Sequence, residues 1–415
     1  MDTSRAAARE RDAADPIEPF ADRFDVPGLY MDGNSLGPIS EGAERTLERV
    51  REEWRERAIG GWTDGDPPWF EYAETLGDRL APLVGAEGSE VSVANSTTVN
   101  IHALIDTFLE DGTVVVNELD FPTDHYAIRA QLRRRGLDPD DHLVVVESRD
   151  GRTIEEDDVV DALSDDVDVL FMPSVLYRSG QLLDLERLTS AAHDHGALAG
   201  FDLAHSVGVV DHALESVGVD FAVWCHYKYC NAGPGAPAGL YVDERHFDRR
   251  PALPGWWGHE KETQFELRST YTPAPDAGAY QIGTPPVLAM APLEGALETI
   301  EAAGIESIRE KSLELTEYLV ALADERLPEC TVGTPREPDR RGGHVALEHP
   351  EAYGVSRALK ERDVVVDFRA PNAIRVCPSP LYTSFEDVYR VVEEFVGVLE
   401  ERAYEGIEPE DADVT

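Results

Sequence analysis

Between residues 113 and 225 the chain alternates short apolar runs with stretches of helical periodicity, and this alternation limits the folds open to it more than any other feature. The runs occupy 113–116, 143–146, 167–172, 198–201 and 221–224. Each is strand-sized and bounded by polar or glycine-containing segments. Residues 99–109, 124–135, 155–163 and 185–195 read as helices that precede or separate them. Strands that alternate with helices pair in parallel through crossovers, so an α/β layer structure on a mostly parallel sheet is predicted.

Outside this region the pattern changes. Residues 1–20 are polar and acidic, a tail or a first helix. Residues 41–58 read as a charged amphipathic helix, GGWTDGDPPW as a loop, and 70–84 as a short helix. Pro285–Pro286 breaks the chain ahead of two helical stretches, 288–303 and 307–326. Strands near 343–347 and 364–368 and a closing helix near 385–403 follow, then an acidic tail, GIEPEDADVT. A boundary near 290 is expected. It leaves a large domain at 59–290, a smaller α+β domain at 291–415, and an N-terminal segment, 1–58, packing with the smaller one.

Charge narrows the partners. Eighty-two acidic residues face 37 basic ones, a net −45. Nucleic acid is excluded as a partner, because phosphate binding needs a basic face. Only four of the basic residues are lysines: Lys228, Lys261, Lys311 and Lys360. An acidic, lysine-poor surface fits either simple high solubility or adaptation to concentrated salt, where self-repulsion is screened. No apolar run approaches the ~18 residues of a membrane span, and the N-terminus lacks the apolar stretch of a signal peptide. Cys225, Cys230, Cys330 and Cys377 form no CxxC pair, so neither a disulfide framework nor a zinc site is indicated, and a reduced cytoplasmic setting is expected. Neither HExxH nor a glycine-rich nucleotide fingerprint occurs.

Lys228 stands apart from the other lysines. It follows an apolar strand and precedes a glycine-rich turn, in WCHYKYCNAGPG, whereas the others sit in charged contexts. A lysine in such a place either snorkels or has chemistry to do, and Schiff-base formation needs an amine whose proton affinity is lowered by desolvation. Asp202 ends the apolar run at 198–201, where α/β sheets bind ligands. It is a helix cap or the partner of a pyridinium nitrogen, which would turn a pyridoxal phosphate (PLP) ring into an electron sink. His205, three residues on, is a core histidine or a hydrogen-bonding neighbour of such a ring. In NSTTVNIH, Thr97 and Thr98 stand at a helix start, as caps or as phosphate donors. In FPTDHYAIR, Phe121 offers a stacking face and Asp124 a cap or a polar partner.

Taken together, these blocks resemble the kynureninase family of fold-type-I, aspartate-aminotransferase-like PLP enzymes. The resemblance runs from about residue 28 to about 398 and includes, in order, YMDGNSLGP, NSTTVNIH, FPTDHYAIR, YRSGQLLD, GFDLAHSVG, HYKYCNAGPG, GWWGHE, QIGTPP and NAIRVCPSPLYTSFEDVY. It implies a large domain with a mostly parallel seven-stranded sheet, a smaller α+β C-terminal domain, and hydrolysis of L-kynurenine to anthranilate and L-alanine. By position, Lys228 resembles the Schiff-base lysine, Asp202 the pyridinium partner and His205 the second residue of that D-x-x-H. Thr97, Thr98 and Tyr227 resemble phosphate contacts, Phe121 the stacking residue and Asp124 its polar partner. Tyr227 is also the implied proton relay. Trp256 and Thr284 match positions that reach the cofactor from a neighbouring subunit, which implies a homodimer. Arg375 resembles the arginine that grips the substrate carboxylate, and Asn34, Ser35 and Trp62 fall at substrate-side positions. Two departures stand out. Pro173 occupies a phosphate-contact position usually held by Ser or Thr, with Ser174 beside it. Trp62 and Thr284 replace the His and Asn of animal relatives, a pattern similar to bacterial relatives that prefer kynurenine over its 3-hydroxy form. A cysteine desulfurase or class-V aminotransferase and a non-catalytic protein of the same fold are the alternative readings.

Overall fold

The computed structural model describes residues 1–408, so 409–415 of the acidic tail lie outside the described residues. The predicted sheet has seven strands. Their spatial order is Val91–Val93, Ala238–Val242, Phe221–Cys225, Leu198–Asp202, Val167–Pro173, Thr113–Asn117 and Leu143–Val146. Ala238–Val242 alone runs against its neighbours, and the other pairings are parallel. The five strands expected from the apolar runs are present. Val91–Val93 and Ala238–Val242 were not anticipated: one is three residues long, and the other emerges from a Gly/Pro-rich turn with a glycine inside it.

Successive strand residues point to opposite faces, and both faces are covered. Val115, Leu170, Met172, Phe201 and Trp224 pack with helices Tyr72–Val84 and Val287–Ala303. Val114, Val116, Phe171, Phe221 and Val223 pack with helices Thr97–Phe108 and Pro122–Arg135. Burial on both sides explains why these strands read as continuous apolar runs rather than alternating ones.

A separate apolar cluster surrounds a four-stranded antiparallel sheet, ordered Asp367–Arg369, Ala373–Val376, Val345–Glu348, Thr331–Val332. Helix Phe385–Glu400, the later part of helix Ile305–Arg326, and Ala8, Leu29 and Met31 from the N-terminus complete it. The long helix passes from one core to the other: Ile305 and Ile308 belong to the first, Leu315 and Leu319 to the second. The N-terminal region forms the helix Arg5–Ala14, capped by Ser4.

The two chain ends meet at a short seam. Leu29–Tyr30 pairs in parallel with Val364–Val365, and Cys377 N–H donates to the Met31 carbonyl at 2.8 Å. Farther on, helix Glu41–Arg57 lies against Val287–Ala303 at glycine-to-glycine distance. A Cβ on Gly42 would stand 2.4 Å from the Gly295 carbonyl oxygen, so no larger residue fits there. Thr46 Oγ1 donates to the Ala291 carbonyl at 2.6 Å in the same interface.

Candidate active site

Parallel strands end together on one edge of the sheet, and residues just beyond their C-terminal ends converge there. Asp202 is the last residue of its strand, and Lys228 lies three residues past Cys225 on the neighbouring strand. Phe121 and Asp124 follow the strand Thr113–Asn117 at the start of helix Pro122–Arg135. Asp202, Lys228 and Phe121 border a cavity of about 280 Å³, and Asp124 lines a small pocket beside it that shares Phe121, Asp202 and His205. A larger groove of about 590 Å³ lies elsewhere, but it is open, and its Glu156 and Asp157 are already paired with Arg187. The smaller cavity is where the chemistry gathers.

Lys228 Nζ lies 2.9 Å from His205 Nε2. Asp202 is almost fully buried, and its Oδ1 accepts from Ala204 N–H at 2.8 Å. Burial raises the proton affinity of its carboxyl, and the charge of Lys228 pulls it back down. His205 is held well below the ordinary histidine range, first by burial and then by Lys228. Asp124 is also buried, and neither carboxylate oxygen meets a hydrogen-bond partner among the described residues. Its proton affinity is pushed well up by burial and by Asp202. Phe121 presents nearly half of its surface, 47%, at the cavity wall.

Thr97 and Thr98 open the helix Thr97–Phe108, where free N–H groups and the helix dipole favour an anion. Ser96 occupies the cap position without making a side-chain capping bond. Thr98 Oγ1 shares a 2.7 Å hydrogen bond with Thr123 Oγ1, a residue that the sequence reading did not single out. Pro173 ends its strand, and Ser174 Oγ bonds Ser206 Oγ at 2.7 Å and the Asp202 carbonyl at 3.3 Å. Ser174 therefore supports the Asp202 backbone; its hydroxyl is already engaged.

Across the cavity, the seam between the chain ends brings Asn34 and Ser35 to Arg375. Arg375 donates to Ser35 Oγ at 2.9 Å and to the Tyr177 carbonyl at 2.8 Å, and pairs with Asp367. The amide of Asn34 is fully buried with no partner on either atom among the described residues. Arg369 and Tyr177 also line this wall, with Asp367 buried behind it, and none of the three was named from sequence. The D-x-R spacing of Asp367 and Arg369, which puts both on one strand face, was the available signal.

Besides Asp124, three expected positions do not line the cavity of a single chain. Trp62 packs edge-on to Trp69 and tilted against Trp257, with ring centroids 5.9 and 5.3 Å away. Trp256 is 42% exposed, and Thr284 lies on the surface. Tyr227 lines the cavity beside Lys228. Among the described residues no helix is long and apolar enough to cross a membrane, and no group of His, Cys, Asp or Glu could hold a metal ion.

The sequence comparisons agree with this geometry. A kynureninase of Geobacillus thermodenitrificans is 49% identical over 405 residues, covering 96% of this chain and 95% of its own. The chain belongs to the kynureninase family. A kynureninase of Bacillus cereus is 48% identical over 409 residues, covering 97% and 96% of the two chains, and one of Shouchella clausii is 45% identical over 405 residues, covering 96% and 95%. The family model for the kynureninase C-terminal domain matches residues 308–395. Among solved structures, a cysteine desulfurase from Thermococcus onnurineus superposes with a TM-score of 0.75 at 20% identity, covering 91% of this chain and 94% of its own. The cysteine desulfurase CsdA of Escherichia coli superposes with a TM-score of 0.77 at 16% identity, covering 92% and 98%. At such identities these structures establish the fold the family shares with them, an α/β fold whose large sheet is mostly parallel.

Proposed function

We propose that the chain is a PLP-dependent hydrolase that cleaves L-kynurenine to anthranilate and L-alanine. The observation that carries this reading is the entry of Asp202 and Lys228 into one cavity from adjacent strand ends, with Lys228 bonded to His205. The residues present fit the cofactor. Asp124 has two buried oxygens in want of donors, Phe121 offers an open ring face, and the start of helix Thr97–Phe108 provides an anion site. In this reading Lys228 holds the aldehyde carbon, Asp202 faces the ring nitrogen, His205 and Asp124 take the polar edge, Phe121 stacks, and Thr97, Thr98 and Tyr227 take the phosphate.

When bound, the cofactor supplies an electron sink for charge that develops at the substrate Cα. The chain does the rest. Lys228, once released, is the base placed to take the Cα proton, and Tyr227 beside it relays protons. Arg375 meets the substrate carboxylate with a planar pair of donors, held by Asp367 and assisted by Ser35 and Asn34. Water is consumed as the Cβ–Cγ bond breaks: the ring-bearing acyl fragment leaves as a carboxylic acid and the three-carbon fragment as alanine.

Several finer features belong to the same reading. Trp62 and Thr284 act near the substrate ring and favour kynurenine over its 3-hydroxy form. Trp256 and Thr284 serve the site of a second copy in a homodimer. This is supported by a run of aromatic contacts, Trp62–Trp257–Phe70–Phe265–Trp256, that surfaces at Phe265, 69% exposed, and at Trp256. The division into 59–290 and 291–415, with 1–58 on the smaller part, belongs to the same reading; the second apolar core, which takes in Ala8, Leu29 and Met31, supports it, whereas Val50 and helix Val287–Ala303 join the core of the large sheet. The acidic, lysine-poor composition supports adaptation to salt, and four unpaired cysteines support a cytoplasmic setting.

A desulfurase reading needs a thiolate at the cavity. None of the four cysteines lines it, and burial pushes the Cys377 thiol up to about 12 and that of Cys330 to about 11. The test is direct: purified protein is incubated with PLP and L-kynurenine while anthranilate fluorescence is followed. Anthranilate and alanine in equal amounts are expected; their absence overturns the reading.

A further inference from the structure

His344 is a buried, titratable side chain beside the cavity that none of the roles above uses. It precedes the strand Val345–Glu348 and is fully enclosed. Its ring centroid lies 5.7 Å from that of His205. The turn that carries Tyr177 and Gly180 folds over it. Gly180 has a φ of +75°, and a Cβ there would stand 2.6 Å from the His344 carbonyl oxygen and 3.3 Å from its Nε2, so glycine is required for the turn to lie this close. Burial, then the charges of Arg375 and Lys228, hold His344 well below the ordinary histidine range, against the pull of the Tyr177 carbonyl. The ring is therefore neutral, with one donor and one acceptor nitrogen.

The bonding of His205 calls for such a neighbour. Lys228 Nζ is 2.9 Å from His205 Nε2, and an ammonium group only donates. With Lys228 as the donor in this contact, Nε2 would accept and the single ring proton would sit on Nδ1. A second proton is opposed by burial and by Lys228, Arg375, His344 and Arg369, which face the ring from their separate elements. His205 Nδ1 is buried without a hydrogen-bond partner among the described residues, and on His344 only the Tyr177 carbonyl approaches the ring, short of a regular hydrogen bond. A buried donor left unmet costs about 1–3 kcal/mol. The spacing of the two rings accommodates an edge contact or one bridging water.

We infer that His344 is a positioning residue that accepts, through one internal water, the Nδ1–H of His205 and so keeps His205 Nε2 turned as an acceptor toward Lys228. The inference rests on the reading of Lys228 and His205 as cofactor-side residues. Its first test uses the cofactor-free protein, so the tautomer is read whether or not kynurenine is the substrate.

In histidine-¹⁵N-labelled protein, with the His205 signal assigned by its loss in His205→Gln, the Nδ1–H tautomer is expected; an Nε2–H tautomer overturns the inference. Two variants extend the test to the cofactor-loaded enzyme. His344→Leu is expected to shift the His205 tautomer and lower kcat by about 10-fold, the scale for losing an outer partner of a site histidine, with little change in KM. His344→Gln, which retains an acceptor, is expected to restore both. A His344→Leu enzyme with unaltered kcat and tautomer, or equal impairment in the two variants, overturns the inference in favour of simple packing. Should His344→Leu fail to fold, the tautomer of the unsubstituted protein decides alone.

Discussion

Asp367 and Arg375 form an ion pair on adjacent antiparallel strands with neither side chain in contact with solvent, 0% and 1% exposed. Arg375 lines the cavity wall with Ser35, and Asp367 sits behind it. Removing one member of a buried pair leaves the other charge uncompensated, at a cost of about 3–5 kcal/mol. Asp367→Ala is therefore expected to lower the unfolding free energy by an amount of that size, read as a lower urea midpoint at unaltered slope. It should also raise KM as Arg375 loses its anchor. An unchanged midpoint counts against this role.

Lys228→Ala should leave the fold intact by circular dichroism and abolish both turnover and the visible absorbance that a covalently held cofactor gives. A preparation of that variant that stays coloured after dialysis would remove Lys228 from the proposal.

Asp202→Ala should retain the lysine-bound colour but lose turnover by about 100-fold or more, the scale set by loss of a preorganised electrostatic partner. Rates within a few-fold of the unsubstituted enzyme would contradict the pairing of Asp202 with the ring nitrogen.

Asp32 lies next to this wall, and burial, followed by the charge of Asp367, raises its carboxyl to about 6. A carboxyl whose proton affinity is higher in the folded than in the unfolded chain binds more protons when folded between about pH 4 and 6, so its contribution to stability falls as pH rises through that window. Asp32→Asn removes the effect. Relative to the unsubstituted protein, the variant should gain stability from pH 4 to 6, reaching on the order of 3 kcal/mol, and the gain should level off above pH 6. Parallel curves of unfolding midpoint against pH would rule this out.

With a net charge of −45 the folded chain repels itself, and salt shortens the reach of that repulsion from about 10 Å at 0.1 M to about 3 Å at 1 M. The thermal midpoint should rise between these concentrations of KCl. A midpoint that falls would argue against adaptation to salt.

Much of this was legible in the residue order. The strand Leu143–Val146 matches its apolar run at both ends, and the helices Glu41–Arg57 and Tyr72–Val84 fall within two residues of their periodic stretches. A strand buried on both faces writes an unbroken apolar run, which is hard to miss. Ala238–Val242 was missed because its glycine and the loop ahead of it look like turn material, and one of its two partners, Val91–Val93, lies far away in sequence. In the site, Lys228, Asp202, His205, Thr97, Thr98, Phe121 and Arg375 were named in advance and do border one cavity. Thr123 and His344 were not, since each matters through a contact with a residue distant in the chain, which no local spacing reports; Asp367, eight residues before its partner Arg375, carried a local signal that was passed over. Trp62, Trp256 and Thr284 lie outside the cavity of one chain, where sequence alone gives no direction to a side chain.

The seam that joins Leu29–Tyr30 to Val364–Val365 sets a schedule for the growing polypeptide. Asn34 and Ser35 leave the ribosome early, whereas Arg375 arrives more than three hundred residues later. At ordinary rates of about 5–20 residues per second, the lysine-bearing half of the molecule waits roughly 7–30 seconds before Arg375 completes its opposite wall. Throughout that interval the nascent protein has an anchor for its cofactor and nothing yet to hold a substrate.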